Sequence, residues 1–183
     1  MALIRRRAVL AAGATLTASF AARKPHAAEL PDLTEVLQPI DPPQTPPDGV
    51  FVDADGQEHT LASFVGHGMV INFWATWCQP CIAEIPSLAE LAKALAPHDI
   101  AVLPLSSDRG GVKAVSAWFD AHDVRGLPIL LDPRGALSHA WGGQGIPTTH
   151  IIARDGKERA RLEGAADWSS DDAVKLITGL VNA

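Results

Sequence analysis

The stretch Phe73-Trp74-Ala75-Thr76-Trp77-Cys78-Gln79-Pro80-Cys81 decides the fold and contains both cysteines of the chain. Residues 69–74 form an apolar run broken only by Asn72, which is typical of a strand buried on both faces. After the cysteines, apolar residues recur at three- and four-residue spacing and predict an amphipathic helix: Ile82, Ile85, Leu88, Leu91, Ala92 and Leu95. The cysteine pair therefore lies between a buried strand and the start of a helix.

This position gives the cysteine pair a definite chemistry. The first turn of a helix has unpaired N–H groups and a partial positive charge, which would stabilise a thiolate at Cys78 and lower its pKa. One helical turn brings Cys81 beside Cys78, so the two can form a disulfide, and Pro80 fits that first turn. C-x-x-C also occurs in haem and zinc sites. Ile82 stands where haem attachment needs a histidine, and two cysteines cannot form a four-thiolate zinc site.

Length and composition limit the other classes of function. With 183 residues, 47% apolar and 20% charged, the chain suits one compact domain with a modest extension. The formal charge is −6, and Lys and Arg do not cluster after residue 28, so nucleic acid is not an expected partner. Six histidines of this part show no metal-ligand spacing, so we predict no metal and no bound cofactor: His59, His67, His98, His122, His139 and His150.

The first 28 residues predict export. The basic residues 5–7 precede an uncharged apolar run at 8–22, and small residues lie ahead of Glu29. This is the pattern of a cleaved signal peptide, similar to a twin-arginine signal, although the general secretory route also stays open. The run is shorter than the ~20 residues of a spanning helix, but an uncleaved membrane anchor remains an alternative. Cleavage would leave 10 basic and 21 acidic residues, a formal charge of −11, in a compartment where thiols tend to oxidise.

Residues 29–49 contain six prolines and predict an extended arm poor in hydrogen-bonded structure. The folded domain is predicted at 50–183, opening with a hairpin around Asp55-Gly56. Ser169 and Asp172 resemble a capping box at the start of a last helix. The further strands are predicted at 100–105, 127–131, 146–152 and 157–162. Strands and helices alternate, which indicates an α/β fold with a central mixed sheet flanked by helices.

Residues 73–81 with Glu84 and Pro86, followed downstream by Gly145-Ile146-Pro147-Thr148-Thr149, resemble thioredoxin. The resemblance is closer to the TlpA/ResA branch of exported bacterial thioredoxin-like thiol:disulfide oxidoreductases, and it covers about residues 50–181. A strand and a helix inserted before Leu127, and the opening hairpin, also match that branch. The resemblance implies a thioredoxin-like fold with an N-terminal hairpin and an inserted strand-helix unit.

The resemblance also implies roles for single residues. Cys78 matches the exposed attacking cysteine, and Cys81 matches the buried resolving cysteine. Pro147 matches a cis-proline that faces the disulfide, and the backbone beside it would pair with a bound substrate segment. The substrate-binding residues implied in this way are Trp77, Gln79, Pro80, Ile146 and Pro147.

Glu84 and Asn72 mark where the chain departs from thioredoxin. Thioredoxin has a buried aspartate in the strand before its cysteines, and Asn72 at that place cannot take a proton. Glu84 follows Cys81 by three residues, and by spacing alone it would be a solvated helix glutamate. It matches the acidic residue that the exported reductases place beneath their thiols, which implies proton transfer to and from the cysteines.

The function implied is reduction of disulfides in exported partner proteins, in the periplasm, with a membrane thiol carrier as electron donor. Family members keep cysteines reduced for cytochrome c or copper-site biogenesis. Thr148 stands where the cytochrome-maturation branch has an acidic residue, which favours a copper-centre or general reducing role. We expect a monomer.

Two alternatives remain open at this point. The first is a dithiol oxidant or isomerase, which uses the same cysteine pair in another direction. The second is a non-enzymatic chaperone that binds copper(I) through both thiolates, since soft thiolate ligands suit copper(I). The absence of Met or His close to the cysteines argues against the chaperone.

Overall fold

A computed structural model describes residues 30–183, so the predicted signal peptide at 1–28 lies outside the described residues. The strands are β1 (Gln38–Gln44), β2 (Val50–Asp53), β3 (Glu58–Thr60), β4 (Gly68–Trp74), β5 (Ile100–Ser106), β6 (Leu130–Leu131), β7 (Thr148–Ile152) and β8 (Glu158–Glu163). The helices are α1 (Leu33–Val36), α2 (Gln79–Leu95), α3 (Gly111–Ala121), α4 (Ala136–Ala140) and α5 (Asp171–Val181). Within this range, no helix has the length and apolar character needed to cross a membrane.

The strands form one mixed sheet in the order β1-β8-β7-β4-β5-β6-β2-β3. The central strands β4, β5 and β6 are parallel, and both sides of the sheet continue with antiparallel strands. The predicted α/β architecture is confirmed, with the hairpin β2–β3 at the start and β5–α3 inserted between α2 and β6.

Strand β4 lies at the centre of the core, and all seven of its residues are buried. Val70 and Trp74 pack into a cluster that includes residues of α2 and α5, whereas Ile71 and Phe73 belong to the cluster on the other side of the sheet. Burial on both faces explains why the sequence shows a continuous apolar run rather than alternation. The cysteine motif follows the carboxyl end of this strand.

The expectation of little hydrogen-bonded structure before residue 50 is wrong. Asp32 caps α1 by accepting a hydrogen bond from the Thr34 amide at 2.8 Å. Strand β1 then pairs antiparallel with β8 and forms one edge of the sheet, with a register shift between Pro39 and Gln44. Proline has no N–H to donate, and an edge strand tolerates this because it is paired on one side only.

Three local expectations also need correction. The strand predicted at 127–131 is reduced to the two residues of β6, and the strand predicted at 146–152 begins at Thr148. The last helix is capped by Ser170, whose hydroxyl accepts from the Ala173 amide at 3.1 Å, and not by a box of Ser169 and Asp172. The Ser169 hydroxyl instead donates to Asp167 at 2.7 Å, and Ser170 is the N-cap residue.

Candidate active site

Cys78 and Cys81 form a disulfide at the start of α2, with Cα atoms 5.3 Å apart. Cys78 is the N-cap residue, and its Sγ accepts a hydrogen bond from the Cys81 amide at 3.3 Å. Cys81 is fully buried, whereas Cys78 keeps 7% of its surface exposed. Cys78 is therefore the sulfur that a second protein can reach, and it lies where the helix N-terminus favours negative charge.

The loop before β7 faces this disulfide. The Ile146-Pro147 peptide bond is cis, as predicted, and the Ile146 carbonyl oxygen lies 3.7 Å from Sγ of Cys78. The Thr148 hydroxyl donates to the Gly145 carbonyl at 2.8 Å and holds the loop in place. The β-ladder of β7 starts at Thr148, so the backbone of Ile146 lies outside it.

The predicted substrate-binding residues separate into two groups. Trp77, with 66% of its surface exposed, and Ile146 line a groove of about 520 Å³, which we call the Trp77 groove. Its other walls include Phe73, Arg109, Arg134 and Ser138. Gln79 and Pro80 are exposed on the first turn of α2, and Pro147 is buried in the loop; these three do not line the groove.

Asp108 holds the turn that leads into the disulfide. Its carboxylate accepts from the Thr76 amide at 2.8 Å, from the Thr76 hydroxyl at 2.7 Å and from the Ser106 hydroxyl at 2.7 Å. Sequence reasoning missed this residue. An aspartate after a strand marks a loop, but nothing in the local pattern indicates that its partner lies 32 residues away.

Glu84 is fully buried beneath the disulfide end of α2, so it is not a solvated helix glutamate. Its Oε1 accepts from Asn72 Nδ2 at 2.9 Å, and its Oε2 accepts from Trp168 Nε1 at 2.9 Å and from the Ala166 amide at 3.2 Å. Burial raises the pKa of Glu84 to about 7, although these three hydrogen bonds favour the carboxylate and oppose the rise. The group can therefore exchange a proton near neutral pH.

Asn72 links Glu84 to the sheet. Its Nδ2 also donates to the Thr149 hydroxyl at 2.9 Å, while within residues 30–183 its Oδ1 is buried and has no hydrogen-bond partner. Thr149, Ala166 and Trp168 were not predicted as site residues. They lie 77 to 84 residues from the groups they contact, and no sequence spacing indicates such contacts.

His150 belongs to a buried cluster in which its ring packs against Phe73 and Trp141. Its Nδ1 lies 2.8 Å from Glu158 Oε1, and Glu158 also accepts from Trp141 Nε1 at 2.9 Å and from Arg161 Nε at 3.0 Å. Burial lowers the pKa of His150. Burial would raise the pKa of Glu158, but hydrogen bonds from His150, Arg161 and Trp141 outweigh it and lower that pKa to about 2. His150 is thus a core side chain, and within residues 30–183 no three His, Cys, Asp or Glu side chains group as a metal site.

A mixed sheet flanked by helices, with a C-x-x-C disulfide at a helix N-terminus opposite a cis-proline, defines the class of thioredoxin-fold thiol-disulfide oxidoreductases. The model of the AhpC/TSA family matches residues 42–161, and the chain belongs to this family.

Relatives and solved structures agree with this class. The thiol-disulfide oxidoreductase ResA of Geobacillus thermodenitrificans is 32% identical over 120 residues, which cover 66% of this chain and 68% of that protein. The thioredoxin-like protein YneN of Bacillus subtilis is 32% identical over 114 residues, 62% of this chain and 66% of that protein.

Among solved structures, a Bacteroides vulgatus protein assigned as a thiol-disulfide oxidoreductase is 31% identical, with a TM-score of 0.62 over 74% of this chain and 94% of that one. A Chlorobium tepidum protein assigned as the interchange protein DsbE shares the fold, with 21% identity and a TM-score of 0.67 over 78% of this chain and 99% of that one. The chain is therefore a thiol-disulfide oxidoreductase of the ResA type with a thioredoxin-like fold.

Proposed function

We propose that this protein reduces disulfides of partner proteins outside the cytoplasm, with Cys78 as the attacking and Cys81 as the resolving cysteine. The single observation that supports reduction of the partner, rather than its oxidation, is the set of groups around the Cys78 sulfur. Within residues 30–183, its one N–H donor is the Cys81 amide, and Gln79 and Pro80 stand between the cysteines. A strong oxidant needs a strongly stabilised thiolate, and within residues 30–183 no Lys, Arg or His side chain forms a hydrogen bond to the Cys78 sulfur.

The reaction is thiol-disulfide exchange. The Cys78 thiolate attacks one sulfur of the partner disulfide; the partner's S–S bond breaks, and its second sulfur leaves as a thiolate and takes a proton. The Cys81 thiolate then attacks Sγ of Cys78, and the mixed disulfide breaks to release the first partner sulfur, which is protonated in turn. Two electrons and two protons pass to the partner, and the Cys78–Cys81 disulfide forms.

Glu84 is the base that prepares Cys81 for this second step. Cys81 and Glu84 are three residues apart on α2 and both fully buried, so they share the buried face of the helix. A carboxylate with a pKa of about 7 can accept the proton of the Cys81 thiol near neutral pH. The proton then leaves with the released partner thiol.

The place of action and the partners are proposed from the sequence. The signal pattern at residues 1–28 supports export to the periplasm, where oxidised proteins need a reductant. We propose a membrane thiol carrier as electron donor, and exported proteins with disulfides as partners. Thr148 beside the cis-proline supports a copper-centre or general reducing role over cytochrome c maturation.

The decisive experiment is the reduction potential of the Cys78–Cys81 couple, measured by equilibration with thiol redox buffers. We expect a value nearer the about −270 mV of thioredoxin than the about −120 mV of a strong periplasmic oxidant. A value close to −120 mV would contradict the reductase and favour the dithiol oxidant.

Insulin reduction and a copper(I) titration separate the enzyme from the copper chaperone. We expect the reduced protein to precipitate insulin by opening its disulfides, and a Cys78→Ser variant to be inactive. Tight copper(I) binding by a protein that does not reduce insulin would support the chaperone instead.

A further inference from the structure

The arginines of this acidic protein differ in their pairing. Residues 30–183 contain six arginines, and the four outside the Trp77 groove each form an ion pair with an aspartate or glutamate: Arg125, Arg154, Arg159 and Arg161. The remaining two, Arg109 and Arg134, both line the groove and form no ion pair within the described part of the chain. The two arginines without an ion pair therefore line the same groove.

The carboxylates nearest in sequence do not neutralise these arginines. Asp108 is occupied by the Thr76 amide and hydroxyl and by the Ser106 hydroxyl. Asp132 is fully buried and accepts from the amides of Leu137 and Ser138 at 2.9 Å each. No Asp or Glu is among the residues that line the groove, within the range that the structure describes.

The groove adjoins the reacting sulfur. Trp77 directly precedes Cys78, and Ile146 places its carbonyl oxygen 3.7 Å from Sγ of Cys78. Residues next to the disulfide that Cys78 attacks can therefore contact this groove. Phe73 and Trp77 offer apolar contact there, and the two arginines offer bidentate partners for carboxylates.

We propose that the Trp77 groove selects partner segments that carry acidic residues next to the disulfide to be reduced. The inference rests on the proposed function and adds the chemical class of its substrate. The chain as a whole repels an acidic partner, since acidic residues outnumber basic ones, so local attraction at the groove directs the partner's disulfide to Cys78.

Arg134 is held at the groove by an unusual backbone. Its φ is +63°, in the left-handed region that residues other than glycine rarely adopt, and the next residue, Gly135, has φ +69°. Asparagine tolerates this conformation better than most residues, so Arg134→Asn removes the charge without a larger backbone penalty. Arg109 and Arg134 are both exposed, and neither substitution opens a cavity.

The experiment uses three synthetic peptides with one internal disulfide, identical except for two residues beside the first cysteine, which are Glu, Gln or Lys. The reduced protein is mixed with each peptide in a stopped-flow instrument, and Trp fluorescence follows its oxidation. Reduction of each peptide by dithiothreitol gives its intrinsic reactivity, to which every rate is normalised. We expect the Glu peptide to react fastest and the Lys peptide slowest, and raised salt to narrow the difference.

Substitutions of the two arginines test whether the preference for the Glu peptide comes from the groove. Arg109→Asn and Arg134→Asn are each expected to lower the Glu-to-Gln rate ratio about two- to fivefold, the range for exposed ion pairs. Lys93→Asn is the matched control and is expected to leave the ratio unchanged. Lys93 is an exposed cation on α2 outside the groove, and it forms no ion pair within residues 30–183.

The outcomes are distinguishable. Equal normalised rates for the Glu and Gln peptides would overturn the acidic preference while leaving the reductase intact. An equal fall of the ratio in Lys93→Asn would also overturn it, because net charge rather than the groove would then be responsible. Failure to reduce any peptide, the Gln peptide included, would overturn the proposed function and this inference with it.

Discussion

Cys78 and Cys81 are the same amino acid in two different environments. Cys78 is at the helix cap and partly exposed, whereas Cys81 is one turn further along α2 and fully buried. An incoming disulfide can therefore reach Cys78, but it cannot reach Cys81 without opening the core. The different roles proposed for them follow from this difference in burial.

Substitution of each cysteine should have a different consequence. Cys81→Ser should trap mixed disulfides with partners, because Cys78 can still attack but nothing resolves the product. Cys78→Ser should abolish disulfide reduction and trap few partners. Non-reducing electrophoresis of cells that express each variant measures this, and equal amounts of adduct from the two variants would reverse the assignment.

Glu84→Gln should slow resolution of the mixed disulfide by roughly 10²-fold or more, the scale of a lost general base. The fold should persist because Gln has nearly the same shape. Its amide NH2 can donate to Oδ1 of Asn72 if the Asn72 amide rotates, and its amide oxygen can still accept from Trp168 and the Ala166 amide.

The measurement is stopped-flow reduction of a partner disulfide across pH, with Trp77 fluorescence as reporter. The pH dependence of the wild-type rate near 7 should be lost in the variant, since Glu84 has a pKa of about 7. Glu90→Gln is the control, because Glu90 is an exposed glutamate on the same helix. A Glu84→Gln variant with an unchanged rate and pH profile would remove Glu84 from the mechanism.

At the scale of elements, two adjacent serines precede α5, and only one of them caps it. Ser170 has extended backbone angles and accepts the Ala173 amide, while Ser169 is exposed and bonded to Asp167. The helix contributes Ala173, Ile177 and Val181 to the core that surrounds α2. The cap thus stabilises one wall of the site.

Ser170→Ala should lower the free energy of unfolding by about 1 kcal/mol, the usual loss for a helix N-cap. Ser169→Ala, the matched control, should change it by less than about 0.5 kcal/mol, as expected for an exposed side chain. Urea denaturation of the two variants distinguishes these cases. A larger loss for Ser169→Ala would support the capping box that the sequence predicted.

At the scale of the whole molecule, three buried titratable groups make the free energy of unfolding depend on pH, and Glu84 acts in the opposite direction to Glu158 and His150. The pKa of Glu84 is raised to about 7, so between pH 4.5 and 7 the folded protein holds a proton that the unfolded chain has lost. Its stabilising contribution is therefore present at low pH and lost as the pH rises through 7. Glu158, with its pKa lowered to about 2, and His150, whose pKa is also lowered, both favour the fold at higher pH.

In the oxidised protein, the raised pKa of Glu84 should make the free energy of unfolding fall as the pH rises. Between pH 5 and 8, the free energy of unfolding of the wild type should fall by about 2–3 kcal/mol relative to that of Glu84→Gln, which follows from a shift of this size. Denaturation at the two pH values measures it, and the disulfide keeps the thiols from titrating. Parallel pH profiles for the two proteins would contradict the raised pKa.

The sequence alone determined the junction of β4 and α2 and the cysteine pair that it carries. These features depend on local patterns: a strand buried on both faces gives an apolar run, and a helix gives three- and four-residue spacing. The resemblance to a known branch added the cis bond at Pro147, which the structure contains. Local patterns are readable because neighbours in sequence remain neighbours in space.

Tertiary structure decided what surrounds that junction. The donors to Glu84 come from residues 72, 166 and 168, and the groove brings Arg109 and Arg134 to Trp77. Strand β1 pairs with β8 despite its prolines, because β8 is paired with β7 on one side only and its other side is free for β1. These hydrogen bonds and unpaired charges depend on chain segments that come into contact only when the protein folds. Such long-range contacts cannot be predicted from the periodicity of the sequence.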